Sequence, residues 1–213
     1  LRANLLRAGV AGALVTRADG RAVGDLAPEC FDAVLVDAPC SAVGNLRKHP
    51  EVLDRWSIPG YREQLRQQEA LQRALLRSGW RALRPGGCLV YSTCTLRGGE
   101  NEEQCRRLLE TEGSARVVDL PALLGFPRVA GSEEGFLRIW PQAFDTDGFF
   151  VSCFRKEPER GQAAERGGGG AGGGFPVAAG LRQLDEAAAA ATRREVERRL
   201  GFWPVGRAVL AEA

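Results

Sequence analysis

The sequence contains no methionine, one histidine (His49) and two lysines (Lys48 and Lys156). Because translation starts with methionine, a chain that begins at Leu1 is expected to be a processed form or a fragment of a longer protein. The cysteines form no C-x-x-C pair and only one histidine is present, so we expect no structural zinc site. The shortage of histidine also argues against a protease built on a cysteine–histidine pair.

Long apolar runs and a large net charge are also absent from the sequence. No stretch approaches the ~18 apolar residues of a membrane-spanning helix, and no leader-like segment is visible, so we expect an intracellular protein without a membrane span. The formal net charge of +2, from 29 basic and 27 acidic residues, is too balanced to indicate nucleic-acid binding by itself. A length of 213 residues, 44% of them hydrophobic, suits one domain with a short appendage. We expect a monomer and favour the cytoplasm, with the nucleolus and organelles left open.

Strand-like and helix-like segments alternate along most of the chain. Residues 31–36 form a run that is apolar apart from Asp32 and is closed by Asp37, which we interpret as a parallel strand buried on both faces. Leucines and Trp80 recur at helical spacing between residues 58 and 83. The other predicted elements are helices at 1–9 and 100–112 and strands at 13–16, 88–93, 136–141 and 148–154. This alternation predicts a doubly wound α/β sheet, in which ligands bind at the carboxyl ends of the strands.

Two of the cysteines follow predicted strands. Cys40 lies just after the strand closed by Asp37, and Cys94 directly follows the strand at 88–93. A thiol at a strand's carboxyl end can become a nucleophilic thiolate when helix N-termini lie nearby. We therefore expect a thiolate that adds to an electrophile supplied by the substrate, the alternative being two structural thiols at loop starts. The remaining cysteines are expected to be small buried hydrophobes: Cys30, Cys88, Cys105 and Cys153.

Three segments of the chain resemble a known family. They are FDAVLVDAPCSAVGNLRKHPEVLDRW, RALRPGGCLVYSTCTLRGGENEEQ and FLRIWPQAFDTDGFFVSCFRK. Together they resemble the Sun/nucleolar-protein (RsmB/RsmF-like) family of RNA (cytosine-5) methyltransferases, from residue 1 to about residue 157. The resemblance implies a Rossmann-like class I methyltransferase sheet, S-adenosylmethionine as cofactor and RNA as partner, with rRNA as the expected substrate.

The resemblance also implies roles for individual residues. Cys94 matches the family's nucleophile and would add to carbon 6 of a flipped-out cytosine, so that carbon 5 can take a methyl group. Cys40 would then help to release the enzyme from the RNA. Asp37 would contact the methionine end of the cofactor or the cytosine edge, and Asp19 would bind the adenine. A strand-end cap and a simple turn aspartate are the alternatives for these two carboxylates.

The loop that follows Cys40 carries three consecutive basic residues, Arg47, Lys48 and His49. By the resemblance, RNA phosphates would pass over this loop, and such contacts position the RNA rather than reading its sequence. A solvated basic loop without any RNA contact is the alternative interpretation.

The resemblance divides the chain into three parts. Residues 1–157 would form the catalytic domain, 158–174 a glycine-rich linker, and 175–213 the start of an RsmF-like RNA-binding region. A G-x-G-x-x-G match at 167–172 follows no predicted strand and opens no predicted helix, so we do not interpret it as a nucleotide loop. The family's cofactor loop and first strands would lie upstream of Leu1.

That placement has two expected consequences. The strand at 31–36 would have an unpaired apolar edge, and the 213-residue chain alone would bind S-adenosylmethionine weakly or not at all. The parent protein is expected to be an active methyltransferase. The alternative is a noncatalytic RNA-binding or assembly protein that keeps the fold, although binding alone requires neither Cys40 nor Cys94.

Overall fold

The computed structural model describes residues 2–9, 13, 15, 17–158 and 208–211. The chain divides into two compact units. One consists of Leu1–Ala18 with Gly172–Gly206, and the other of Asp19–Ala171 with Arg207–Ala213.

In the first unit, the described residues contain helix α1, Arg2–Arg7. Gly9 follows it with a φ of 71°, the left-handed conformation that commonly ends helices. The predicted helix at the start of the chain is therefore confirmed. Of the strand predicted at 13–16, the two described residues, Ala13 and Val15, lie in no strand. The predicted linker and C-terminal region lie outside the described residues, apart from 158 and 208–211.

The second unit contains the other described helices and the described strands. The helices are α2 (Val23–Leu26), α3 (Tyr61–Ala82), α4 (Glu102–Thr111), α5 (Leu120–Leu124) and α6 (Pro141–Phe144). The strands are β1 (Phe31–Asp37), β2 (Leu83–Thr93), β3 (Ala115–Val117), β4 (Leu137–Ile139), β5 (Phe149–Lys156) and β6 (Ala208–Ala211). None of the described helices combines the length and the apolar character needed to cross a bilayer.

The strands form one sheet in the order β3-β5-β2-β1-β6, with β4 paired to β5. β1 runs parallel to β2 and to β6, whereas β5 runs antiparallel to β2, β3 and β4. The predicted α/β class is therefore confirmed. The expectation of an unpaired edge on β1 is wrong, because Ala208–Ala211 pairs along that edge and satisfies its backbone groups.

Strand β1 is buried more fully on one face than on the other. On one face Val34 and Val36 are buried, whereas on the other Phe31 is buried, Leu35 is half-buried and Ala33 is exposed. The prediction that both faces are buried therefore holds for one face only. Antiparallel and mixed sheets commonly leave one face partly solvated, and this sheet is mixed.

Helix α3 packs on the buried face of β1, as the periodicity predicts. Its apolar residues face the core, and Trp80 is only 1% exposed. A Cβ at Gly79 would lie 3.0 Å from Val36 Cγ2 and 3.2 Å from Val34 Cγ1, so glycine lets the helix approach the strand closely. The chain passes from Ala82 directly into β2, which begins earlier than the predicted position 88.

The parallel pairing of β1 with β2 fixes where the functional residues lie. Asp37 at the end of β1 is in register with Ser92 near the end of β2. The Ala38 amide continues the ladder by donating to the Ser92 carbonyl at 3.0 Å. The loops that leave the two strands therefore start side by side at one edge of the sheet.

Candidate active site

Cys40 and Cys94 meet at this edge of the sheet. Their Sγ atoms are 3.3 Å apart, which is hydrogen-bond contact between two sulfurs. Both residues are half-buried and neither is in a disulfide. The two thiols that the sequence places after neighbouring strands thus converge in one site, whereas their chemical roles stay predictions.

The two thiols differ in their tendency to ionise. The hydrogen bond from Cys40 is the main cause that lowers the pKa of Cys94 to about 7, and the Asn45 side chain adds to it. Burial and the nearby charge of Asp37 oppose this shift. The same hydrogen bond, together with burial, raises the pKa of Cys40 far above its ordinary range. These opposite directions make Cys94 the more readily ionised of the two sulfurs and Cys40 the one that holds its proton more strongly.

The other cysteines provide a contrast. Cys105 and Cys153 are buried, and burial is the main cause that raises the pKa of each thiol, for Cys153 to about 11. These two fit the prediction of inert buried thiols. Cys30 and Cys88 are half-buried rather than buried.

The loop after Cys40 is packed tightly against its neighbours. The Gly44 amide donates to the Cys94 carbonyl at 3.0 Å, and the Gly148 amide donates to the Gly44 carbonyl at 2.8 Å. A Cβ at Gly44 would lie 2.1 Å from the Gly148 oxygen, so only glycine fits between these backbones. Ala42 at the start of the turn has a φ of 59°, a left-handed conformation that is uncommon for alanine.

Asp37 lies beside the thiol pair at the end of β1. Its Oδ1 atom accepts a hydrogen bond from the Ser92 hydroxyl at 2.9 Å, and the residue is exposed. Asp37 and Gly20 line a mainly apolar cleft with a volume of about 20 Å³. The carboxylate is therefore oriented by its neighbour and still accessible to a ligand.

Asp19 is bound to Arg21 on the exposed start of the second unit. Its carboxylate accepts hydrogen bonds from the Arg21 backbone amide at 2.9 Å and from Arg21 Nε at 3.0 Å. These hydrogen bonds lower the pKa of Asp19 to about 2. Asp19 caps the short 3-10 helix Gly20–Ala22, which corresponds to the turn-aspartate alternative and leaves its adenine role untested.

The cleft beside Asp37 does not fit the whole of S-adenosylmethionine. The cleft that Gly20 and Asp37 line, with a volume of about 20 Å³, is large enough for roughly one water molecule and too small for a nucleoside. Asp37 lines this cleft and provides a hydrogen-bond acceptor, and Asp19 directly precedes the lining residue Gly20 in the chain. In the part of the chain that the structure describes, no three His, Cys, Asp or Glu side chains converge on a metal position.

Two of the three predicted RNA-binding residues, Arg47 and Lys48, are held in ion pairs. Arg47 contacts Asp145 at 2.9 Å and Lys48 contacts Asp147 at 2.5 Å, and all four belong to loops near the thiol site. His49 lies 2.9 Å from Glu51. The loop is therefore a set of exposed charge pairs rather than a bare positive patch.

Two buried carboxylates near the site were missed from the sequence. Glu100 is fully buried and contacts the loops that follow both cysteines. Glu102 forms a buried ion pair with Arg138, whose Nη1 donates to the Leu96 carbonyl at 2.8 Å. Both glutamates lie in the helix predicted at 100–112, for which the sequence analysis predicted neither burial nor contact with the thiol loops. A sign of this contact was present in the sequence. Ser41 directly follows Cys40 and Thr95 directly follows Cys94, and both carry hydroxyls that can donate to a buried carboxylate.

The fold and the thiol pair define a class of protein, the α/β domains of S-adenosylmethionine-dependent methyltransferases. The crystal structure of the protein PH0851 is 33% identical with a TM-score of 0.64, over 73% of this chain and 34% of that one. NSun6 from Pyrococcus horikoshii is 25% identical with a TM-score of 0.57, over 74% of this chain and 38% of that one. The NSun6 structure was determined with SFG, an analogue of S-adenosylmethionine.

Within this class, the chain belongs to the 16S rRNA methyltransferase RsmB/F family, whose sequence pattern matches residues 1–155. It is 47% identical over 158 residues to the ribosomal RNA small subunit methyltransferase F of Aeromonas salmonicida (strain A449). That match covers 73% of this chain and 32% of the relative. The chain thus spans about one third of the length of this curated relative. The family resemblance drawn from the three sequence segments is confirmed.

Proposed function

We propose that the protein to which this chain belongs transfers a methyl group to carbon 5 of a cytosine in ribosomal RNA. The observation that carries the proposal is the Cys40–Cys94 pair, with sulfurs 3.3 Å apart at the carboxyl ends of two parallel strands. The pKa of Cys94, lowered to about 7, supplies a thiolate near neutral pH. The name of the relative from Aeromonas salmonicida supports ribosomal RNA as the substrate.

Cys94 begins the reaction as the nucleophile. Its thiolate adds to carbon 6 of the cytosine, and the electron pair of the 5,6 double bond moves to carbon 5. S-adenosylmethionine supplies the methyl group that carbon 5 takes up. The target base must leave its stack to reach a half-buried sulfur, as base-modifying enzymes generally require.

Cys40 acts on the second half of the reaction. Carbon 5 loses its proton to solvent, and the electron pair re-forms the double bond and expels the Cys94 thiolate. Because Cys40 keeps its proton, it donates a hydrogen bond to the leaving sulfur and stabilises the negative charge that returns there. The thiol pair therefore supports both addition and release.

The remaining predicted site residues bind rather than react. Asp37 is exposed beside the thiols and would accept a hydrogen bond from the cytosine edge or the methionine part of the cofactor. Asp19 would accept from the adenine. RNA phosphates would replace the carboxylates that now contact the basic loop of Arg47, Lys48 and His49. The relative that carries the activity in its name is bacterial, so we place the reaction in the cytoplasm.

The test uses the full-length protein, ribosomal RNA and labelled S-adenosylmethionine. Cys94→Ala should abolish methylation, whereas Cys40→Ala should accumulate a covalent protein–RNA adduct that survives a denaturing gel. Cys30→Ala, which removes another half-buried thiol, should behave like the unaltered protein.

Three outcomes would contradict the proposal. An adduct with Cys94→Ala would reverse the two roles. Undiminished methylation by Cys94→Ala would exclude the thiolate mechanism. RNA binding by the unaltered protein without any methylation would favour the noncatalytic alternative.

A further inference from the structure

One buried carboxylate, that of Glu100, connects the two loops that bear the thiols. Its side chain is 0% exposed. Its Oε1 atom accepts a hydrogen bond from the Ser41 amide at 2.9 Å. Its Oε2 atom accepts from the Ser41 hydroxyl at 2.5 Å and from the Thr95 hydroxyl at 3.2 Å. Because Ser41 follows Cys40 and Thr95 follows Cys94, Glu100 holds the residue next to each thiol.

Further contacts fix Glu100 in place. The Gln72 amide donates to Glu100 Oε1 at 3.0 Å and to the Pro39 carbonyl at 2.8 Å. Arg97 Nε lies 3.3 Å from Glu100 Oε2, and the Tyr91 hydroxyl donates to the Glu100 carbonyl at 2.6 Å. A buried carboxylate is tolerated when donors surround it in this way. Through Gln72, helix α3 also holds the residue that precedes Cys40.

The two hydroxyls contact each other as well. Ser41 Oγ and Thr95 Oγ1 are 2.8 Å apart, so the loops are joined directly and through Glu100. Hydrogen bonds that converge on one buried acceptor restrict the groups that donate them, although Gln72 Oε1 and Arg97 Nε have no hydrogen-bond partner of their own. Removal of Glu100 would leave the Ser41 amide and one of the two hydroxyls without an acceptor, which favours separation of the loops.

We propose that Glu100 is a positioning residue that keeps the Cys40 and Cys94 sulfurs in hydrogen-bond contact. The proposal rests on the function proposed above and deepens it, since it concerns the same site. Glu100 touches neither sulfur in the hydrogen-bond network and acts through Ser41 and Thr95. Sites of this kind tolerate displacements of only about 0.5 Å, so a fixed support is required.

The direction of the change in the Cys94 pKa separates positioning from a simple charge effect. A negative charge at Glu100 opposes a second one at Cys94, so removal of the charge alone would lower the Cys94 pKa further. Loss of positioning would separate the sulfurs and raise that pKa toward its ordinary value of 9.0. The other groups that act on Cys94, namely Cys40, Asn45 and Asp37, remain present in a Glu100 variant.

The experiment measures the rate at which iodoacetamide alkylates each thiol of the 213-residue chain over a pH series, with peptides assigned by mass spectrometry. In Glu100→Ala, the midpoint for Cys94 should rise from about 7 toward 9.0. A complete rise would lower the thiolate fraction at neutral pH roughly 50-fold. Glu100→Gln removes the charge but keeps an oxygen that accepts from Ser41, so its Cys94 midpoint should lie below that of Glu100→Ala.

Two further variants keep the test decisive. Ser41→Ala removes one hydroxyl of the network and should raise the midpoint by a smaller amount, even if Glu100→Ala does not fold. Ser78→Ala is the control, because it removes a buried hydroxyl that contacts Gly20 and Gly24, away from both cysteines. It should leave the Cys94 midpoint unchanged.

An unchanged or lowered midpoint in folded Glu100→Ala, with folding checked by circular dichroism, would overturn the proposal. An equal rise of the Cys94 midpoint in Ser78→Ala would also overturn it, because the shift would then follow from any loss of a buried hydroxyl and not from the contacts of Glu100. The titration needs neither RNA nor methyl donor. Its failure is therefore distinguishable from a failure of the proposed methyl transfer, which is measured separately.

Discussion

Replacement of Gly44 with alanine tests whether close backbone packing supports the thiol site. The added Cβ would lie 2.1 Å from the Gly148 oxygen and 2.7 Å from the Cys94 oxygen, so the backbone must move. Movement disrupts the hydrogen bonds of 3.0 Å and 2.8 Å that join these three residues. The two hydrogen bonds contribute about 0.5–1.5 kcal/mol each, and overpacking costs about 1–3 kcal/mol. Together they predict that the free energy of unfolding falls by roughly 2–6 kcal/mol.

The assay is urea-induced unfolding followed by tryptophan fluorescence, since Trp80 is buried in the core of the same unit. In thermal unfolding, the expected loss corresponds to a fall in melting temperature of roughly 4–24 °C. Gly113→Ala is the matched control, because nothing lies within 4 Å of its added Cβ. It should be neutral or stabilising by about 0.4–1 kcal/mol. If Gly44→Ala were as stable as Gly113→Ala, the close contact at Gly44 would be refuted.

Three further predictions concern the thiols, the cofactor and RNA. Mild oxidation with hydrogen peroxide should join Cys40 and Cys94, because their sulfurs need only approach from 3.3 Å to about 2.05 Å. A linked peptide that dithiothreitol separates is the readout, and its persistence in Cys40→Ala would contradict the assignment. Calorimetry should detect no tight binding of S-adenosylmethionine to the 213-residue chain, because the cleft at Asp37 has a volume of about 20 Å³; tight binding would contradict it. Alanine at Arg47 and Lys48 should reduce the salt dependence of RNA binding by about 0.7 in log–log slope per cation. An unchanged slope would mean that both stay on their aspartate partners.

The regular elements around the site could be predicted because their signals are local. The leucine spacing of α3 and the apolar residues of β1 each indicate a buried face from a short stretch of sequence. The pairing of β1 with Ala208–Ala211 could not be predicted in this way. It joins residues far apart in the chain, and a short apolar segment carries no information about which edge it will pair with.

The position of the thiols could also be predicted, but the buried Glu100 network that holds their loops could not. Strand ends in a parallel pair lie together, so Cys40 and Cys94 were expected to converge before their 3.3 Å contact was known. Glu100 follows an ordinary helix-start pattern, in which acidic residues are common at the surface. Its complete burial depends on side chains from α3, β2 and two loops, and no local pattern records that combination.

The different roles of two chemically identical thiols follow from their surroundings. Two sulfurs 3.3 Å apart cannot both carry a negative charge at low cost, so one proton stays between them. Burial opposes the charge at both sulfurs and is deeper for Cys40, while the Asn45 side chain stabilises it at Cys94. The proton therefore resides on Cys40. Any change that separates the sulfurs removes the hydrogen bond that is the largest cause of the lowered Cys94 pKa, which is why the network around Glu100 bears on reactivity as much as on stability.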